Sequence, residues 1–211
     1  MYRIVKRGID IVASAAALVV ISPVLLVLCV MIPIDSPGAP IFAQKRIGRE
    51  GKPFTVYKLR TMRKSAPRSV ATEALSDAGA HITRLGAFLR RSSLDELPQL
   101  VNILKGDMSL VGPRPLVPEE EHVHRERMEK GVYKMKPGIT GWAQVNGRDQ
   151  VHSGMKANLD AYYAENVCFV LDMRIIFKTA HYVITGRGIQ EGSKPPAAAG
   201  EELTNAQTDD H

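Results

Sequence analysis

Apolar residues are distributed unevenly along this chain. From Ile11 to Ile34 every position is apolar apart from Ser14 and Ser22, with Pro23 and Pro33 breaking the run. A stretch of about 18 or more such residues has the length of a membrane helix. A removable signal peptide fits poorly, because the run is long and no A-x-A cleavage site follows it. A single span and a re-entrant helix remain. The flanks favour the second: Arg3, Lys6 and Arg7 precede the run, and Lys45, Arg46 and Arg49 follow it. Positive charge marks the cytoplasmic side, and a straight span would carry one cluster outside. Ser22-Pro23 lies mid-run, where proline removes a backbone donor and bends the helix. Ser22 is placed to satisfy a carbonyl freed by that break. Asp10, at the edge of the run, needs a partner if buried, with Arg7 the nearest candidate.

Downstream the period changes. Ile41 to Arg49 alternates loosely, and Phe54-Thr55-Val56-Tyr57 is β-prone, with Gly48 and Gly51 between them. This pattern predicts a short hairpin. Residues 65–80 are small and polar, the composition of an exposed loop. Ile82, Leu85, Phe88 and Leu89 then repeat at helical spacing among Arg84, Arg90 and Arg91. An interfacial helix and an ordinary core helix both fit. Leu94, Leu97, Leu100, Val101 and Leu104 form another helical face, with Pro98 too deep for a regular first turn.

Residues 118–134 predict a charged, solvated helix, including Glu119-Glu120-Glu121. His122 and His124 are two positions apart and would diverge on that helix, which argues against a metal pair. Ala143-Gln144-Val145 reads as a short strand. Trp142 before it suits either the core or a membrane interface. Residues 158–163 open a helix. Val170, Met173, Ile176, Phe177, Ala180 and Val183 make an apolar stripe expected to face the core. The Pro195-Pro196 and Ala/Gly/polar mixture of residues 193–211 predicts a disordered tail. The whole reads as a mostly helical α+β protein in three parts: residues 1–36, 37–192 and 193–211.

Charge narrows the partners. The 211 residues carry a formal net charge of +6. The tail from Ser193 holds Lys194 against Glu201, Glu202, Asp209 and Asp210, a net of −3, which leaves +9 for the rest. A basic body suits anionic lipid, nucleic acid or phosphorylated substrates. DNA binding would not explain the apolar run. Cys29 and Cys168 are too few for a disulfide framework. No P-loop, GxGxxG, zinc spacing or G-x-S-x-G occurs, which argues against ATPase, dinucleotide, zinc-site and hydrolase readings.

The candidate chemistry centres on residues 90–100 and 111–115. Ser93 and Glu96 have S-x-x-E capping-box spacing, and Asp95 falls in the first turn, where free amides favour an anion. The plain alternative is that Ser93, Asp95 and Glu96 only cap a helix. Two adjacent carboxylates exceed what one cap needs, however, and Arg90 and Arg91 precede them. Pro113-Arg114-Pro115 holds a guanidinium on a stiff backbone, suited to bidentate phosphate contact.

These stretches resemble the bacterial sugar transferase family, the small monotopic phosphoglycosyl transferases that start glycan assembly on polyprenol phosphate. The resemblance is carried by Ser92–Leu100, Asn102–Ser109, Val111–Pro115, Lys136–Trp142 and Ala143–Arg148, and covers roughly residues 1–190. It implies transfer of a sugar-1-phosphate from a UDP-sugar to polyprenol phosphate, releasing UMP. It implies a membrane dip kinked at Ser22-Pro23, at the cytoplasmic face of the bacterial inner membrane. Asp95 would attack the sugar-proximal phosphorus, since a carboxylate is already ionised at neutral pH. Glu96 would bind Mg²⁺. Lys58, Arg60, Arg90, Arg114 and Arg148 are the phosphate-clamp candidates, Thr61 lies in the family's basic-Thr-Met stretch, and Asp160 would orient an arginine. Where many relatives have Lys, this chain has Arg60. Ile189-Gln190-Glu191-Gly192 replaces the family's Ser-Lys-Glu-Gly, which leaves any closing role for that end in doubt. A direct transfer without a covalent intermediate, and a non-catalytic adaptor binding anionic lipid or nucleotide-sugar, remain open. Nothing in the sequence names the sugar.

Overall fold

The computed structural model describes residues 2–66, 78–146 and 153–185. Most of the expected loop at 65–80, Arg148, the Ile189–Gly192 departure and the tail lie outside the described residues. The described architecture is α+β and mainly helical, as the sequence predicts.

Helix α1 (Tyr2–Asp35) is 34 residues long and includes Pro23 and Pro33. At 1.5 Å per residue it extends about 50 Å. Pro23 cannot donate to the Val19 carbonyl, which would be its helical acceptor. Ser22 Oγ donates to that carbonyl instead, at 2.9 Å. One face of α1 is buried toward both ends, at Lys6, Asp10 and Ser14 and again at Leu28 and Ile32. The opposite face leaves Val12, Val19, Val20, Leu26, Val30 and Ile34 exposed.

The hairpin follows. Strands β1 (Ile41–Ile47) and β2 (Pro53–Leu59) pair antiparallel, with Gln44 opposite Val56. The connecting turn places Glu50 and Gly51 at positive φ. After α2 (Ala78–His81) comes α3 (Arg84–Arg91), capped by Thr83, whose side chain accepts from the Gly86 N–H at 2.9 Å. Helix α4 (Gln99–Lys105) leads into β3 (Ser109–Val111), and α5 (Glu121–Glu129) precedes β4 (Gly138–Thr140). Strands β3 and β4 pair in parallel. Here the backbones come close: a Cβ on Gly138 would lie 2.1 Å from the Gly112 nitrogen. The chain continues through α6 (Trp142–Asn146), α7 (Ser153–Asn166) and α8 (Phe169–Thr185).

Three apolar clusters join these elements. Leu28 and Ile32 of α1 pack with Leu59 and Leu89, with Leu94 alongside. Ala17 and Leu18 pack against Val56, Leu100, Ile103 and Met108. Val111, Met135, Val145, Tyr163, Leu171 and Ile175 form the third. Ile103 is fully buried, so truncation to Ala would cost about 2–5 kcal/mol. Polar clasps add register. Asn102 of α4 donates to Thr55 O and accepts from Tyr57 N–H on β2, at 2.7 and 3.2 Å. Arg7 donates to the carbonyls of Ile103 and Leu104 at the C-terminal end of α4, where a cation also suits the helix dipole.

Several expectations are corrected. Asp10 is buried but not paired with Arg7; it accepts from Ser109 Oγ at 2.8 Å and Leu110 N–H at 3.1 Å. Residues 143–145 lie in helix α6, whose turn closes through Val145 N–H to Gly141 O. On α8 the core side is Leu171, Asp172 and Ile175. Val170, Phe177 and Val183 of the expected core stripe are exposed, with Ala180. The inward face carries polar groups that apolar periodicity does not register. Asp172 accepts from Lys6, Tyr2 and Tyr163, and Thr179 meets Thr140. Trp142 is partly buried, its ring 5.5 Å from that of Tyr162.

Candidate active site

The site begins where α3 ends. Ser93 takes a left-handed conformation (φ 56°) and makes no side-chain cap. An N-cap needs extended backbone, so the expected capping box does not form. Ser93 instead occupies the position after a helix end that usually falls to glycine. Its N–H donates to Arg90 O at 3.1 Å. The chain then makes a 3₁₀ turn over Leu94–Glu96, and α4 starts only after Pro98. Pro98 has no amide to donate to Leu94 O, which accepts from Leu97 N–H in the tighter i→i+3 pattern. The irregular start expected at Pro98 is therefore present. The turn carries Asp95 and Glu96 in succession, while Leu94 packs against the cluster of Leu28, Ile32, Leu59 and Leu89. Asp95 is buried, at 6% exposure.

Glu96 is held between two cations. Its Oε1 lies 2.8 Å from Lys58 Nζ, on β2, and 3.2 Å from Arg114 Nη1. Burial alone would raise the Glu96 carboxyl. The two neighbouring charges and their hydrogen bonds outweigh it and hold the group down to about 2. Glu96 is therefore an anion at any physiological pH.

The other expected residues are placed as follows. Thr61 is buried, and its Oγ1 accepts from Arg90 Nε at 2.8 Å, which ties α3 to the end of the hairpin. The guanidinium of Arg60 donates to the carbonyls of Ser36, Pro37 and Gly38, so it secures the exit from α1. Asp160, on α7, is 1% exposed and pairs with Arg127. Arg127 Nη1 donates to the Arg114 carbonyl at 2.8 Å. The structure thus joins Glu96, Lys58 and Arg114 directly and Asp160 through Arg127; Asp95 is the residue before Glu96 on the same turn, and Arg90 pairs with Thr61. Ser22-Pro23 stays on the helix. No sequence signal marks Arg127: it sits in a run charged on all sides, and no periodicity shows its inward face.

A Mg²⁺ ion is commonly held by one or two carboxylates together with substrate phosphates. The Glu96 carboxylate fits that donor set as one such ligand. Among the described residues no cluster of three or more His, Cys, Asp and Glu side chains offers an all-protein cage.

A long apolar helix beside a turn whose Glu96 carboxylate lies between two cations is the arrangement of a membrane-associated protein. The chain belongs to the bacterial sugar transferase family, whose sequence profile matches residues 1–186. It is 40% identical over 188 residues to the uncharacterized sugar transferase EpsL of Bacillus subtilis, covering 89% of this chain and 91% of that protein. It is 37% identical over 197 residues to the UDP-N-acetylgalactosamine-undecaprenyl-phosphate N-acetylgalactosaminephosphotransferase of Aeromonas hydrophila, covering 89% of this chain. It is 41% identical over 184 residues to the UDP-glucose:undecaprenyl-phosphate glucose-1-phosphate transferase of Escherichia coli, covering 84% of this chain. The chain spans 45% and 39% of the length of these last two relatives.

Proposed function

We propose that this protein transfers a sugar-1-phosphate from a UDP-sugar to polyprenol (undecaprenyl) phosphate, releasing UMP. The observation that carries this reading is the Asp95-Glu96 turn, with Glu96 between Lys58 and Arg114 and Leu94 packed into the cluster that includes Leu28 and Ile32 of the apolar helix. In the first step an Asp95 carboxylate oxygen attacks the sugar-proximal phosphorus. The P–O bond to the UMP portion breaks, UMP leaves, and an aspartyl-phosphosugar remains. In the second step a phosphate oxygen of the lipid attacks that phosphorus. The bond to Asp95 breaks, its carboxylate returns, and polyprenol-diphosphate-sugar is released. An anionic nucleophile meeting an anionic donor is repelled, and Lys58 and Arg114 offset this by taking phosphate oxygens. Mg²⁺, held by Glu96 together with the diphosphate, would add positive charge there.

The reading includes the membrane geometry. A projecting span would contact the body only near one end. Residues at both ends of α1 pack on the same body: Lys6, Arg7 and Asp10 on α8, α4 and β3, and Leu28 and Ile32 on β2 and α3. This supports a re-entrant helix with both termini cytoplasmic. The exposed Phe169, Val170, Phe177 and Ile184 of α8, and Phe88 of α3, suit helices lying in the interface of the inner membrane.

The test is a donor panel of UDP-glucose, UDP-galactose, UDP-N-acetylglucosamine and UDP-N-acetylgalactosamine, with undecaprenyl phosphate and Mg²⁺ in mixed micelles. Sustained UMP release with one donor is expected. Release of free sugar phosphate or UDP in place of UMP would overturn the assignment.

A further inference from the structure

Every carbonyl of the Pro113-Arg114-Pro115 segment has its own donor. Gly138 N–H meets Pro113 O at 3.0 Å, Arg127 Nη1 meets Arg114 O at 2.8 Å, and Arg46 Nη1 meets Pro115 O at 3.2 Å. The next carbonyl, that of Leu116, accepts from Ile47 N–H at 2.9 Å. The two prolines have no amide to donate, so the segment is anchored chiefly through these acceptors.

The middle donor differs from the others. Arg127 is 3% exposed, and its second arm, Nη2, donates to Asp160, which is 1% exposed. A guanidinium is planar and its arms diverge in a fixed fork. It therefore works as a rigid bracket between α7 and the backbone of Arg114. Two buried charges are an expensive way to secure one carbonyl, because a well-packed apolar pair of similar volume is often as stable or more so. The charge pair does supply direction, setting the Arg114 backbone from which its guanidinium reaches Glu96.

We infer that Arg127 is a positioning residue: gripped by Asp160, it holds the backbone of Arg114 so that the Arg114 side chain meets substrate phosphate at the Glu96 site. The inference rests on the reading of Arg114 as a phosphate clamp. A misplacement of about 1 Å in a reacting geometry can cost on the order of 100-fold in rate.

Two variants of the full chain test it, assayed in mixed micelles with undecaprenyl phosphate and the UDP-sugar selected by the panel. Arg127→Lys keeps a cation beside Asp160, but one ammonium cannot make both divergent contacts. Arg127→Met combined with Asp160→Leu removes both buried charges. Thermal unfolding identifies which variant retains the wild-type Tm. The expected result in that variant is a loss of at least tenfold in kcat/KM for UMP release. In an Arg114→Ala background the same change should cost less than twofold, because the residue acts through Arg114. Wild-type kcat/KM in a folded variant overturns the inference, as do equal losses in both backgrounds; equal losses leave the Arg114 clamp standing. Unfolding of both variants also overturns it and makes Arg127 a folding residue. Arg114→Ala with unchanged kcat/KM overturns the clamp reading itself.

Discussion

The Lys58 ammonium donates to Oε1 of Glu96 at 2.8 Å, joining the end of a hairpin strand to the turn that carries Asp95. The contact has a pH signature. Glu96 has its carboxyl lowered from 4.5 to about 2. A lowered carboxyl adds stability that is complete above its unfolded pKa and is lost as pH falls through the folded one. The window is therefore from about 4.5 down to about 2. A shift of this size corresponds to about 3 kcal/mol net, left after the attractions of Lys58 and Arg114 offset the cost of burial. Lys58→Met should lower Tm by several degrees at pH 6, and that gap should narrow as pH drops below 4.5. A gap independent of pH would show that the ion pair does not stabilise the fold.

Arg114 supplies the second cation on Glu96, and its geometry matters beyond its charge. A guanidinium offers two parallel donors to one phosphate, whereas an ammonium acts as a point charge. Arg114→Lys should therefore lose about tenfold or more in turnover, the equivalent of about 1.4 kcal/mol of transition-state contact. UMP release by a variant with wild-type Tm is the measurement. Near-normal turnover would return Arg114 to a structural role.

Much of this arrangement is legible in the sequence, for identifiable reasons. The apolar run of α1 announces itself by its length, and the hairpin by its alternation. Asp95, Glu96 and Arg114 stand out because two carboxylates and a proline-flanked arginine exceed local structural needs. Contacts made only in three dimensions were not readable. Asp10 finds Ser109 and Leu110, and Arg7 caps α4 instead. Ser93 goes left-handed, which no propensity of serine suggests. On α8 the inward face carries Asp172 and Thr179, so of the apolar stripe Ile176 packs on the core while Val170, Phe177, Ala180 and Val183 face outward. Arg127 lies in a charged run, and its burial follows from the docking of α5 on α7.

The Ser22–Val19 contact leads to a prediction about topology. Ser22 Oγ takes the carbonyl that Pro23 leaves without a donor. Pro23→Leu restores the missing N–H and removes the ring clash, so the variant should favour a full span. In a Cys-free background, cysteines placed near Lys6 and Lys45 should both be labelled only from the cytoplasm in the wild-type helix. In Pro23→Leu one of them should become accessible from the periplasm. Periplasmic labelling of either site with Pro23 intact would overturn the re-entrant reading.

The most demanding prediction concerns Asp95. Asp95→Asn preserves the size of the side chain and removes the charged oxygen, so the protein should fold while turnover falls to near background. Glu96→Gln should also impair turnover, and extra Mg²⁺ should partly restore it if the loss is in metal binding. The covalent route makes a further demand. Wild-type protein given the UDP-sugar and Mg²⁺ without lipid should release at most one equivalent of UMP in a burst. It should also gain the mass of a sugar phosphate on the peptide that holds Asp95. That adduct should be absent in Asp95→Asn and should disappear when undecaprenyl phosphate is added, with ping-pong kinetics. If UMP appears only when donor and lipid are present together and no adduct can be trapped, Asp95 is not the nucleophile. Transfer would then proceed directly between the two substrates, with Asp95 serving the metal or the turn.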